Sequence, residues 1–182
     1  MTKIVLTYDD FAALPNDGPR YELHDGELSV TPTPSLAHQE ILLNLAMLLS
    51  AHVRRLNVGK VFVAPVDCIL TETTVVQPDL LYLDTQRLSL ASPRGVEGSP
   101  ALAVEILSPS TVDVDRRAKL QLYARHRVPH YWIVDPSTRV IDAHRLGPEG
   151  YDVVARLHGA EPTALPPFPD LILDPAAIWP SP

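Results

Sequence analysis

Apolar residues fall into runs of two kinds along this chain, short alternating ones and one long helical one. Tyr21 to Leu23 and Glu27 to Val30 are strand-like and flank His24-Asp25-Gly26. An Asp-Gly pair between two such runs is a strong hairpin signal. The preceding FAALP reads as a short helix or turn. From Ser35 the period changes. Ile41, Leu42, Leu45, Leu48, Leu49, Val53 and Leu56 recur at helical spacing, with Ser35 placed to cap the helix and Gly59 just past its end.

Three strand-like runs follow: Lys60 to Leu70, Val75 to Leu83 and Ala101 to Leu107. The segment Leu88 to Pro100 between the last two is rich in Gly, Pro and Ser and reads as a loop. A second helix is predicted over Val112 to Arg127, with Asp113 and Asp115 in its first turn and Arg125 and Arg127 in its last, matching the helix dipole. Tyr131 to Val134 is a further strand, and Val140 to Arg145 with Tyr151 to Leu157 form a closing hairpin. The tail, Pro162 to Pro182, reads as an irregular strap anchored by Phe168, Leu171, Ile172 and Trp179. The order implies an α/β (α+β) fold, one mixed sheet flanked by helices with an N-terminal hairpin.

Composition narrows this picture. A chain of 182 residues, 46% hydrophobic and 20% charged, is expected to be one globular domain over 1–182, with a core over about 20–160 and the strap over 161–182. The N-terminus has no apolar signal core, and the longest apolar run, around Ile41 to Leu49, is too short to span a bilayer. No membrane association is expected, and the place of action is expected to be the cytoplasm. Cys68 alone can form no internal disulfide and is expected to be a buried thiol. The net charge of -7 argues against a broad nucleic-acid-coating surface. It leaves room for an acidic metal site with a local basic patch.

Two carboxylates stand out. Asp79 lies in VVQPDLLYL, on a face with Gln77 and Leu81, and Glu105 lies in ALAVEIL, on a face with Ala101, Ala103 and Leu107. A charge inside an apolar strand is costly unless it is paired or bound to a metal. If the strands are neighbours, both acids point at one spot, and a hard divalent cation removes their mutual repulsion. Arg116, Lys119, Tyr123 and His126 are spaced to share one face of the second helix. Asp67, His38, Glu22 and Glu27 are further candidates for supporting the acids, each with a structural hydrogen bond as the alternative.

The strings YELHDGEL, His38 opening a leucine-rich helix, VVQPDLLYL, AVEILSPST, DRRAKLQLYARHRVPHYWIVDP and FPDLILD resemble the Uma-two family. This family is assigned to restriction endonucleases of the PD-(D/E)XK nuclease superfamily. The resemblance runs from about Tyr21 to Asp174. It implies a restriction-endonuclease-like fold, with Asp79 in the place of the Pro-Asp motif and Glu105 in the place of the second acid. The superfamily's lysine stands two residues after that acid, where this chain has Leu107. Lys119 is its natural substitute, as in relatives where the lysine has moved.

These readings lead to one expectation. Asp79 and Glu105, with the Ile106 backbone carbonyl, hold Mg²⁺ or Mn²⁺ for hydrolysis of DNA phosphodiester bonds. Lys119 orients the water or neutralises phosphate charge, and Arg116 and Tyr123 face the DNA phosphates. A homodimer is expected, through the Tyr131-Trp132 strand or the strap. The alternatives are a nuclease fold that binds or assembles without turnover, which Leu107 and the acidic balance favour, and a metal-dependent hydrolase of a small phosphate ester.

Overall fold

A computed structural model describes residues 4–15, 20–31, 33–108 and 112–180; the side chains of residues 31 and 112–116 lie outside this description. A one-turn helix, α1 (Tyr8–Ala12), precedes the hairpin β1 (Arg20–His24) and β2 (Glu27–Thr31). Asp25 and Gly26 turn it with φ of 51° and 83°. Positive φ at both central residues is the geometry that matches the twist of hairpin strands. Helix α2 (Leu36–Leu56) begins where the Ser35 hydroxyl accepts a hydrogen bond from the His38 N–H at 3.2 Å. It ends at left-handed Asn57. Ile41, Leu42, Leu45, Leu49 and Val53 form its buried face.

The two long strand runs each break in the middle. Lys60 to Leu70 divides into β3 (Gly59–Val63) and β4 (Cys68–Thr71), and Val75 to Leu83 into β5 (Thr74–Val76) and β6 (Leu80–Asp84). Pro65 and Pro78 fall in the gaps. Proline has no N–H to give a ladder, so a strand interior rejects it. The halves then join different sheets. The central sheet runs β12-β11-β10-β9-β6-β3, and the second runs β2-β1-β5-β4-β8-β7. The single expected sheet is therefore two. The Leu88 to Pro100 segment is also more than a loop: it holds a 3-10 turn (Leu88–Leu90), β7 (Ala91–Ser92) and β8 (Gly95–Glu97), strands too short to show periodicity.

Strands β9 (Leu102–Ile106) and β10 (His130–Asp135) pair in parallel, so α3 (Val112–Arg125) is the crossover helix between them. The hairpin β11 (Val140–Gly147) and β12 (Gly150–Leu157) completes the sheet. Even-numbered residues of β6 and β9 pack with α2 and the strap: Leu80, Tyr82, Leu102, Val104 and Ile106 share one core with Leu45 and Phe168. Odd-numbered ones, Leu81, Leu83 and Ala103, face Leu122 and Tyr123 of α3 with Cys68 and Val96 of the second sheet. Cys68 is buried, as expected, and burial pushes its thiol up to about 12.

In the strap, Phe168 and Trp179 are buried and Leu171 packs partly against the same core. Ile172 is not an anchor: it is 61% exposed, whereas Leu173 is 1% exposed. Both sit on β14 (Ile172–Leu173), paired with β13 (Thr163–Ala164), where neighbours point to opposite faces. Tyr131 and Trp132 are buried inside central strand β10, so that strand offers no interface to a second copy. Among the described residues no helix is long and apolar enough to cross a membrane.

Candidate active site

Strands β6 and β9 are antiparallel neighbours, with Leu80 opposite Val104. Continuing that register by one residue sets Asp79 opposite Glu105. The acids thus meet on the α3 side of the central sheet, although Asp79 stands in the gap after Pro78 rather than inside a strand. The break aims it. Asp79 is 3% exposed, and its Oδ2 accepts hydrogen bonds from the Ile106 N–H at 2.8 Å and from His38 Nε2, 3.1 Å away. Its Oδ1 lies 3.5 Å from Nη2 of Arg20.

Helix α3 brings the opposite charge. Lys119 Nζ donates to Glu105 Oε1 at 2.9 Å and to Glu22 Oε1 at 3.2 Å. The Tyr123 hydroxyl donates to the same Glu105 oxygen at 2.7 Å. Tyr123 is 0% exposed and so is not a DNA contact; it fixes the acid from the same helix as Lys119. The Arg116 side chain lies outside the described residues. Leu107 stands two residues after Glu105, where the resemblance leads one to expect a lysine. It packs with Leu122 and Tyr123 under α3, in surroundings where an ammonium would be stranded. The ammonium that reaches Glu105 comes from α3, at Lys119.

The remaining candidates divide. Glu22 joins the cluster and also accepts from the Gln77 N–H at 2.9 Å, with His24 Nε2 at 3.1 Å. Asp67 accepts from Gln77 Nε2 at 2.8 Å, so it supports Gln77, one residue removed from the acids. Glu27 is exposed on β2, across the hairpin from His24. Sequence reasoning missed Arg20, His24 and Gln77. A signal existed for the first two: Arg20, Glu22 and His24 alternate on β1, so one strand face carries all three toward the site.

Electrostatics follow from the crowding. For Glu22, burial works to raise the carboxyl, but Lys119, His24 and the Gln77 N–H outweigh it and hold it well below the usual range. For Glu105, burial pushes the carboxyl up to about 7; Lys119 opposes the rise, and Asp79 and Glu22 add to it. Burial would lower Lys119, yet Glu105 and Glu22 hold its ammonium well above the ordinary lysine range. Tyr123 is pushed far up by burial and by both glutamates. Burial is thus the main cause of the raised Glu105 carboxyl, and the neighbouring acids add to it.

The donor set is one that a divalent cation fits. Asp79 and Glu105 supply hard oxygen donors, and Glu105 Oε1 is taken while Oε2 accepts no hydrogen bond among the described residues. No cluster of three or more His, Cys, Asp and Glu suited to a metal occurs among the described residues. A divalent cation held by only one or two carboxylates leaves its other positions to water and substrate phosphate.

A family model, Uma2, described as "Putative restriction endonuclease", matches residues 8–176. The crystal structure of a putative nuclease belonging to DUF820 from Anabaena variabilis ATCC 29413 superposes with a TM-score of 0.77, over 95% of this chain and 97% of that one, at 19% identity. No curated protein matches.

Proposed function

The chain belongs to the Uma2 family, and from that premise we propose that it is a metal-dependent endonuclease hydrolysing DNA phosphodiester bonds. The observation that carries the reading is the meeting of Asp79 and Glu105 across β6 and β9, with Lys119 on Glu105 at 2.9 Å. Asp79, Glu105 and the Ile106 carbonyl would hold Mg²⁺ or Mn²⁺. Such an ion supplies charge neutralisation at the phosphate and a lowered pKa for water.

The protein's own groups do the rest. His38 and the Ile106 N–H fix the Asp79 carboxylate, and Tyr123 fixes Glu105. Hydrolysis forms one P–O bond to water and breaks the P–O bond to the leaving sugar, so negative charge builds on the phosphate oxygens. Lys119, kept as an ammonium, is suited to neutralise that charge and unsuited to take a proton from water. A homodimer acting in the cytoplasm completes the reading. With Tyr131-Trp132 buried, the strap remains as its expected interface, and sedimentation velocity tests it.

Purified protein with Mg²⁺ or Mn²⁺ should nick DNA, and Asp79→Ala should abolish nicking. Cleavage surviving in that variant would remove Asp79 from the site. Parallel assays on a small phosphodiester separate a DNA enzyme from a small-ester hydrolase. One observation favours a second reading, a nuclease fold without turnover: Lys119 and Arg20 already stand against all three acids. Calorimetric titration with Mn²⁺ distinguishes the two, since a degenerate site should bind none.

A further inference from the structure

Arg20 approaches Asp79 in an unusual way. Its Nη2 is 3.5 Å from Oδ1, longer than a well-made hydrogen bond, and its Nε is buried with no hydrogen-bond partner among the described residues. A guanidinium is a rigid fork of donors matched to carboxylate and phosphate oxygens. Here that fork is underused. Its side chain is 23% exposed, so it reaches the solvent side of the site.

The oxygen it faces matters. Oδ2 of Asp79 is occupied by His38 and the Ile106 N–H, which leaves Oδ1 for any further ligand. Arg20 and a cation therefore compete for one atom. Neighbouring Lys119 is tied to two carboxylates at 2.9 and 3.2 Å and is not placed to relieve Asp79 in the same way.

We infer that Arg20 guards Asp79 Oδ1 in the metal-free protein and passes to a backbone phosphate of bound nucleic acid when a divalent cation takes that oxygen. This rests on Asp79 being a metal ligand. Once displaced, the fork finds in a phosphate the paired acceptors that Asp79 does not give it. Arg20 is then both the competitor of the metal and a substrate-contacting residue.

The test uses Arg20→Gln beside wild type. Mn²⁺ calorimetry on Arg20→Gln should show affinity tightened by about tenfold, because a competing cation is gone. Binding of a short mixed-sequence DNA duplex in Ca²⁺, followed by anisotropy against salt, should weaken, with the log–log slope reduced by about one. Unchanged or weaker Mn²⁺ binding, or an unchanged salt slope, overturns the inference while leaving the metal site intact. Wild-type protein that binds no Mn²⁺ overturns the metal site, and the inference with it. Should Arg20→Gln not fold, wild-type protein decides alone. The buried Arg20 Nε–H resonance should move on saturation with Mg²⁺, and a fixed resonance overturns the inference.

Discussion

Lys119 Nζ stands 2.9 Å from Glu105 Oε1, although the acid belongs to β9 and the lysine to the helix that follows it. In the nuclease reading proposed above, the pairing stands in for a lysine two residues along the strand. It works because α3 is a crossover between parallel strands β9 and β10, and such a helix must pack back over the strand it left.

Removing that ammonium should cost activity more than fold. Lys119→Gln is expected to lower kcat/KM on DNA by about 10²–10³, the scale of losing one preorganised charge. Returning the lysine to the strand should not rescue it. In Lys119→Gln/Leu107→Lys the new ammonium enters the apolar cluster of Leu122 and Tyr123, with an expected loss of about 3 kcal/mol. Denaturant titration with cleavage kinetics checks both, and recovered cleavage would show that the strand position is still usable.

Tyr123 gives a sharper contrast, because the surface role expected from its helix face conflicts with its burial. Tyr123→Phe keeps the ring contact with Tyr131, at 4.9 Å between centroids, and deletes only the hydroxyl on Glu105. Stability should fall by about 1.5–3 kcal/mol, the worth of a hydrogen bond to a charged group. DNA affinity in Ca²⁺ should stay within about twofold, since a buried hydroxyl makes no phosphate contact. A large loss of DNA affinity at unchanged stability would return Tyr123 to the interface.

These residues also show what the sequence made legible. Asp79 and Glu105 were readable as isolated charges in apolar runs, and their meeting followed from strands long enough to show a period. Helix α2 was readable to its cap because Ser35 and the leucine spacing agree. The division into two sheets was not. Pro65 and Pro78 mark breaks, but a break does not say which sheet each half joins. Gln77 was hidden for the same reason: its bond to Glu22 is reached only once β1 and β5 are placed together. Tyr123 was assigned the right helix face and the wrong surroundings, because periodicity gives the direction of a side chain and not what covers it.

The strap tests a one-residue error of that kind. Leu173→Ala should destabilise by about 2–4 kcal/mol as a core truncation, and Ile172→Ala should stay within about 0.5 kcal/mol. The difference comes from burial alone, 1% against 61% exposed on adjacent residues of β14. Equal losses in thermal melts would mean that β14 seats its other face.

Glu105 sets two pH dependences. Burial pushes its carboxyl up to about 7 against an ordinary 4.5, with Lys119 opposing and Asp79 and Glu22 adding. Without metal, the folded protein therefore keeps a proton that the unfolded chain has lost between those values. That stabilisation is complete below the unfolded value and is lost as pH rises through about 7. Glu105→Gln should flatten this fall in urea titrations run without metal between about pH 5 and 8. Glu22 acts in the other direction: its depressed carboxyl contributes above its ordinary 4.5 and is lost as pH drops below that. Mn²⁺ must displace the Glu105 proton to bind. Its affinity should climb by at most about tenfold per pH unit up to 7 and then level, with a proton released that calorimetry in buffers of different ionisation enthalpy counts directly. Affinity flat across that range would mean that Glu105 is already ionised in the metal-free protein, and that Lys119 and Tyr123 outweigh its burial.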